Sequence, residues 1–215
     1  MNAYVAFIVI LIAIFAINHF LHKVSFVKDR KKNLTHKSFI DSKSKPPFSG
    51  GILFLISLII FLPNDHYLLK IFCFIIFLIG FFSDIEMFKS PNFRFLAQLI
   101  FITIFVILSQ TFITSTKIDF IDLFLGNFLF KVFFVTFCLL ILINGTNFID
   151  GVNTLVIGYY LLILLFLQNI YTNLDDQTFS VGILNFLIFS LIALFILNFF
   201  NLLYLGDNGA YLVSF

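Results

Sequence analysis

Three carboxylates in this chain stand where a carboxylate is costly. Asp84, Asp150 and Asp207 each lie at the edge of an apolar run of membrane character. Asp150 sits within Asn144-Gly-Thr-Asn-Phe-Ile-Asp-Gly-Val-Asn153, which adds the amides of Asn144, Asn147 and Asn153. Hard oxygen ligands without His or Cys suit Mg2+, which keeps part of its water and takes phosphate oxygens beside one or two carboxylates. Amides can hydrogen-bond a polar ligand without adding charge. A further cluster is basic: Lys43 and Lys45 precede Pro46, Pro47 and then Gly50-Gly51 at a helix start. That order offers ammonium groups and backbone N–H donors to an anion. Acid, amide and base together point to metal-assisted phosphoryl transfer. Other readings compete. Lys43 and Lys45 can rest on anionic lipid, Gly50-Gly51 can let two helices approach, and Asp84 or Asp150 can relay an ion in a transporter.

The elements that must hold these residues are membrane helices. Of 215 residues, 61% are hydrophobic and 11% charged, with a mean hydropathy of +1.10. Soluble domains carry more than twice that share of charge, so the composition indicates an integral membrane protein. Phe alone contributes 35 residues and Trp none, a bias that we read as compositional and not as a binding stripe. The expected fold is an all-α, polytopic helix bundle with about seven spans, each needing roughly 20 residues. The spans are placed at 3–22, 49–64, 68–84, 95–114, 128–146, 152–170 and 178–200, with a further apolar start from Ala210. Residues 1–215 are treated as one domain. Cys73 and Cys138 fall inside apolar runs and read as inert. His19 and His22, beside Lys23, read as interfacial anchors.

Charge then orients the bundle. The first apolar run has its basic residues behind it, the reverse of a cleaved leader. Placing the N-terminus outside puts Lys23, Lys28, Arg30, Lys31, Lys32, Lys37, Lys43, Lys45, Lys89 and Arg94 in the cytoplasm, ten of the 13 basic residues. On that count all four polar clusters face the cytoplasm: Lys43–Gly51, Gly80–Asp84, Asn144–Asn153 and Gly206–Gly209. Random turns would be spread over both faces, so one shared site is expected.

In order, spacing and sidedness these clusters resemble the polyprenyl-phosphate N-acetylhexosamine-1-phosphate transferases. The matching segments are Lys45-Pro-Pro-Phe-Ser-Gly-Gly51, with His36 upstream; Ser83-Asp84 followed by Arg94 and Gln98; Asn144, Asn147, Phe148, Asp150 and Gly151; and Gly206-Asp207 with Gly209. The resemblance implies transfer of a sugar 1-phosphate from a UDP-N-acetylhexosamine to polyprenyl (undecaprenyl) phosphate, releasing UMP and starting a cell-envelope glycan. It implies Mg2+ held by Asp207, with Asp84 and Asp150 as catalytic residues. Lys45, Gly50, Gly51, Arg94, Asn144 and Asn147 would bind substrate. The implied setting is the inner membrane, multi-pass, with the active site on the cytoplasmic face; a homodimer is allowed, and nothing points to nucleic acid. Two positions depart from the pattern. Ser83 stands where the first of two aspartates is usual, and Asn153 where a second acid is frequent. Family members also continue past the position of Phe215, so a chain shortened at its C-terminus is expected. An inactive remnant and a secondary transporter are the alternatives.

Overall fold

The computed structural model describes residues 3–23, 46–173 and 181–215. His36, Lys43 and Lys45 lie outside the described residues. Within them the chain forms nine α-helices: α1 (Ala3–Lys23), α2 (Gly50–Phe61), α3 (Tyr67–Asp84), α4 (Pro91–Ser109), α5 (Asp119–Phe124), α6 (Phe128–Ile149), α7 (Leu155–Asn173), α8 (Val181–Phe199) and α9 (Gly206–Ser214).

Five segments are long and apolar enough to cross a membrane: Asn64–Asp84, Pro91–Ser109, Phe128–Ile149, Leu155–Thr172 and Val181–Phe199. Shorter apolar helical stretches cover Ile8–Leu21 and Gly50–Phe61. The second span, expected over 49–64, is a helix of 12 residues. At 1.5 Å per residue it rises about 18 Å, well short of a bilayer core of about 30 Å. Its end is set by Pro63, which disfavours helical backbone in the residue before it, and Leu62 is extended (φ −67°, ψ 132°). From α3, Lys70 Nζ reaches back to the Ile59 carbonyl at 3.1 Å and to Asn64 Oδ1 at 3.2 Å, covering carbonyls that the helix end leaves free.

Other boundaries move as well. Pro91 occupies the first turn of α4, where its missing N–H costs nothing. The helix therefore starts before residue 95, and Arg94 belongs to its first turn instead of the preceding loop. Gln110, with φ 53°, closes α4 in the left-handed conformation. The stretch 115–127, expected as loop, contains α5. There Asp122 accepts from the Thr116 N–H and hydroxyl and from the Ser115 hydroxyl, each at 2.7 Å. These bonds, the Thr116 backbone N–H first, pull the Asp122 carboxyl down to about 2. Helix α6 opens on an Asn127 cap, whose Oδ1 accepts from Leu129 N at 2.8 Å and Phe130 N at 3.3 Å. It runs to Ile149, so Asn144 to Asn147 are helical and only Asp150 to Thr154 turn.

Helix α9 is the short element at the centre, touching α2, α3, α6 and α7. Leu205, Ala210 and Leu212 join a core with residues of α1, α2 and α8. Tyr211 joins a second core with Phe72, Ile76, Ile102 and Ile143. Ile60, Phe133, Leu162 and Phe166 are among the large apolar side chains left exposed on the outer helices, as expected where lipid replaces water as the solvent.

Candidate functional site

Hydrogen bonds between distant residues gather the C-terminal ends of α1, α3, α6 and α8 and the N-terminal ends of α2, α4, α7 and α9 at one end of the bundle. The segments entering α2 and α9 are clasped backbone to backbone: Tyr204 N donates to Pro47 O at 2.9 Å and Gly50 N to Tyr204 O at 3.1 Å. Asn18 of α1 donates to Leu202 O at 3.1 Å and accepts from Ser49 Oγ at 2.7 Å. Asn198 of α8 donates to Leu203 O at 2.9 Å and accepts from Thr154 N at 2.5 Å, while the Asn153 amide donates to Asn201 Oδ1. Asn198 is buried, so Asn198→Ala leaves a donor and an acceptor unpaired at once. A loss of about 2 kcal/mol is expected, read as a lower unfolding temperature of the protein in detergent.

The first turn of α9 lies directly on α3 and α2. Gly80, one turn before Asp84, faces the backbone of Asp207 and Asn208. A Cβ there would sit 2.5 Å from Asn208 Cα and 2.7 Å from the Asp207 carbonyl carbon. Gly51 is equally close to Asn208. Gly206 adopts φ +74°, a left-handed conformation that favours glycine, and its hydrogen-only side lets Asp84 approach.

Asp84 uses that approach to cap α9 from another helix. Asp84 Oδ1 accepts from Asp207 N at 3.0 Å. Asp84 Oδ2 accepts from Asn208 N at 3.0 Å and from Asn208 Nδ2 at 2.5 Å. Leu205, at the position where a capping side chain would stand, supplies none. A carboxylate on the first N–H groups of a helix meets unsatisfied donors and the positive end of the helix dipole. Beside it, Arg94 Nη1 donates to Asp207 Oδ2 at 2.8 Å and to Ser83 Oγ at 2.5 Å, and Ser83 Oγ donates to the same Asp207 oxygen at 2.5 Å. The Arg94 and Asp207 side chains are partly open, at 21% and 29%.

Several expectations change here. Asp84, Arg94 and Asp207 come together, but the three-carboxylate cluster does not form. Among the described residues no group of three or more His, Cys, Asp or Glu side chains could hold a metal ion. Asp150, half-buried, instead closes α6, with its N–H on Thr146 O at 3.1 Å. Gly50 and Gly51 read from sequence as anion donors. Their place against Leu205 and Asn208, with the Gly50 N–H taken by Tyr204, makes them close-approach residues instead. Asn144 Nδ2 donates to Gln98 Oε1 and to Leu140 O, both at 2.9 Å, and Asn147 lies half-buried one turn further on. Asn208 was missed as a site residue, and Ser83, noted only as a departure from the aspartate pattern, was given no role. A hydroxyl next to Asp84, and an amide next to Asp207 at a helix start, were the available signals.

The family model described as glycosyl transferase family 4 matches residues 66–215, from the turn before α3 through α9, more than two thirds of the chain. The chain belongs to glycosyl transferase family 4. As a member of that family it is a transferase, and its apolar helices embed it in a membrane. The matched segment carries Ser83, Asp84, Arg94, Asn144, Asn147, Asp150 and Asp207, so the bonds among Ser83, Asp84, Arg94 and the start of α9 lie within it, while Asn18, Pro47, Ser49, Gly50 and Gly51 precede it. A comparison with curated proteins finds no match.

The resemblance read from the sequence implies a divalent cation, and the donors can be tested against that expectation. In Asp207, Oδ2 is taken by Arg94 and Ser83. Oδ1 accepts no hydrogen bond from a described residue, and the side chain is partly exposed. One open carboxylate oxygen suits Mg2+, which keeps several waters and shares its remaining positions with substrate phosphates. It would not suit a cation that needs an all-protein cage.

Proposed function

We propose that this protein moves a sugar 1-phosphate from a UDP-N-acetylhexosamine to polyprenyl phosphate at the cytoplasmic face of the cell membrane. UMP leaves, and the lipid-linked sugar starts a cell-envelope glycan such as an O-antigen or capsule. The observation that carries this reading is the Asp84–Asp207–Arg94 arrangement at the start of α9, inside the family-matched segment and at the bundle end where the polar residues gather. A phosphate oxygen of the lipid attacks the β-phosphorus of the UDP-sugar. The bond from that phosphorus to the bridging oxygen breaks, and the bridging oxygen departs with UMP. Both reactants are anionic, so their approach needs cationic support.

Asp207 would hold Mg2+, since its Oδ1 accepts no hydrogen bond from a described residue. When bound, Mg2+ supplies charge neutralisation of the phosphates and of the departing UMP. Arg94, whose guanidinium suits bidentate phosphate recognition, is the protein's own cation at the site. Asp84 acts by fixing the start of α9, because both of its oxygens already accept hydrogen bonds there. Asn144 and Asn147, on the last turns of α6, and Asp150, just past its end, form the wall that meets the nucleotide. The one-sided distribution of basic residues supports the cytoplasmic face.

The test uses membranes carrying the full chain, supplied with a UDP-N-acetylhexosamine, polyprenyl phosphate and Mg2+. UMP should appear only when the lipid is present. UMP formed without lipid would replace the transferase reading with hydrolysis. No UMP from any UDP-sugar tried would favour an inactive member or a transporter.

A further inference from the structure

Asp207 is partly exposed, and its Oδ1 accepts no hydrogen bond from a described residue, while Oδ2 is held by two partners at once. Ser83 Oγ sits between them, accepting from Arg94 Nη1 at 2.5 Å and donating to Asp207 Oδ2 at 2.5 Å, while Arg94 Nη1 also reaches Oδ2 directly at 2.8 Å. The three residues come from the last turn of α3, the first turn of α4 and the first turn of α9, so the contact ties three helices together. Arg94 itself is under-used in this arrangement. Its Nε is buried and has no hydrogen-bond partner among the described residues, although a buried donor of this kind is costly to leave unpaired.

We propose that Ser83 and Arg94 are positioning residues that hold Asp207 Oδ2 in a closed pair and so lower the affinity of Asp207 for a divalent cation. Three observations support this. A guanidinium on a carboxylate occupies the electrostatic place a cation would take. The Ser83 hydroxyl neutralises nothing but fixes both partners, which an aspartate at the same position would not do without adding a second negative charge. The unpaired Nε gives Arg94 a reason to leave Asp207 for any anion that offers it two acceptors. The closed pair is therefore the resting state, and an incoming phosphate is the chemical class of ligand that opens it. This rests on the metal role proposed for Asp207.

The experiment is titration of the full-length protein in detergent with Mn2+ alone, followed by the electron paramagnetic resonance signal of free Mn2+, with no UDP-sugar present. Arg94→Gln removes the competing charge at 2.8 Å and should tighten Mn2+ binding by about tenfold, a conservative figure for one charge at a partly solvated site. Ser83→Ala keeps the charge and loosens its hold, so it should tighten binding in the same direction by a smaller factor. Arg94→Lys, which restores the charge, should bind Mn2+ as wild type does. Mn2+ affinity unchanged or weakened in both Arg94→Gln and Ser83→Ala, while Asp207→Asn abolishes it, overturns this inference and leaves the metal role standing. Mn2+ binding that survives in Asp207→Asn overturns the metal role instead. Unfolding temperatures of the metal-free variants show whether each is folded, and Ser83→Ala decides the question if Arg94→Gln is not.

Discussion

Asp207→Asn is expected to lower the rate of UMP release by about a thousandfold, the scale on which loss of a group that stabilises developing charge acts, while the protein stays folded. The side chain keeps its shape, and an amide oxygen can still accept from Ser83 or Arg94. The carboxylate is partly open to solvent, so losing its ion pair should cost the fold less than about 1 kcal/mol. What disappears is the negative oxygen left over after Arg94 and Ser83 have taken the other. The check is the initial rate of UMP release at saturating UDP-sugar and lipid, measured beside the unfolding temperature. A variant that turns over within a few-fold of wild type would remove Asp207 from the chemistry.

Gly80→Ala should act in the opposite way, through the fold first. The added Cβ would lie 2.5 Å from Asn208 Cα and 2.7 Å from both Asn208 N and the Asp207 carbonyl carbon. All three are backbone atoms, so no rotamer change relieves the overlap, and α3 and α9 must separate. Overpacking of this kind costs about 1–3 kcal/mol, and a backbone clash belongs at the upper end. In a chain of this size that corresponds to a fall of about 6–12 °C in unfolding temperature. Separation of the helices by about 1 Å would also misplace Asp207 and cost turnover about a hundredfold. Gly145→Ala is the control. A Cβ at Gly145 meets nothing within 4 Å, and it sits inside α6, so this change should be neutral or stabilising by up to about 1 kcal/mol. Equal losses in the two variants would mean that the close approach at Gly80 is not what sets stability.

The sequence made the membrane helices and the polar clusters visible, because hydropathy over some 20 residues and Asp, Asn or Gly at its edges are local signals. Arg94, Asp84 and Asp207 could be named as neighbours from their order, but the bonds that each makes could not be. Asp84 is more than 120 residues from the N–H groups it caps, a pairing that depends on Gly80 and Gly206 admitting α9 to the surface of α3. The last residues of α6, Asn147 to Ile149, were hidden because Asn reads as a turn former. Asn144, already placed inside the span, is satisfied there by Gln98 and Leu140 O. The short second span was misjudged because hydropathy continues through Leu62 to Pro63, whereas the helix stops where proline restricts its predecessor. Asp150 was legible by type and position, but its place just past the end of α6, with its N–H on Thr146 O, was not.

The backbone-to-backbone seating of α9 on Gly51 and Gly80 has a thermodynamic consequence. Side chains that position a reactive group bring rotamer freedom with them, and that freedom must be lost each time a ligand binds. Here the start of α9 is located by main chain resting on main chain and by a carboxylate bonded to its first N–H groups. Most of the ordering is therefore complete when the bundle has folded. Substrate binding has to organise little beyond the Arg94 side chain, so the enthalpy of the phosphate contacts is left largely intact to favour the reaction.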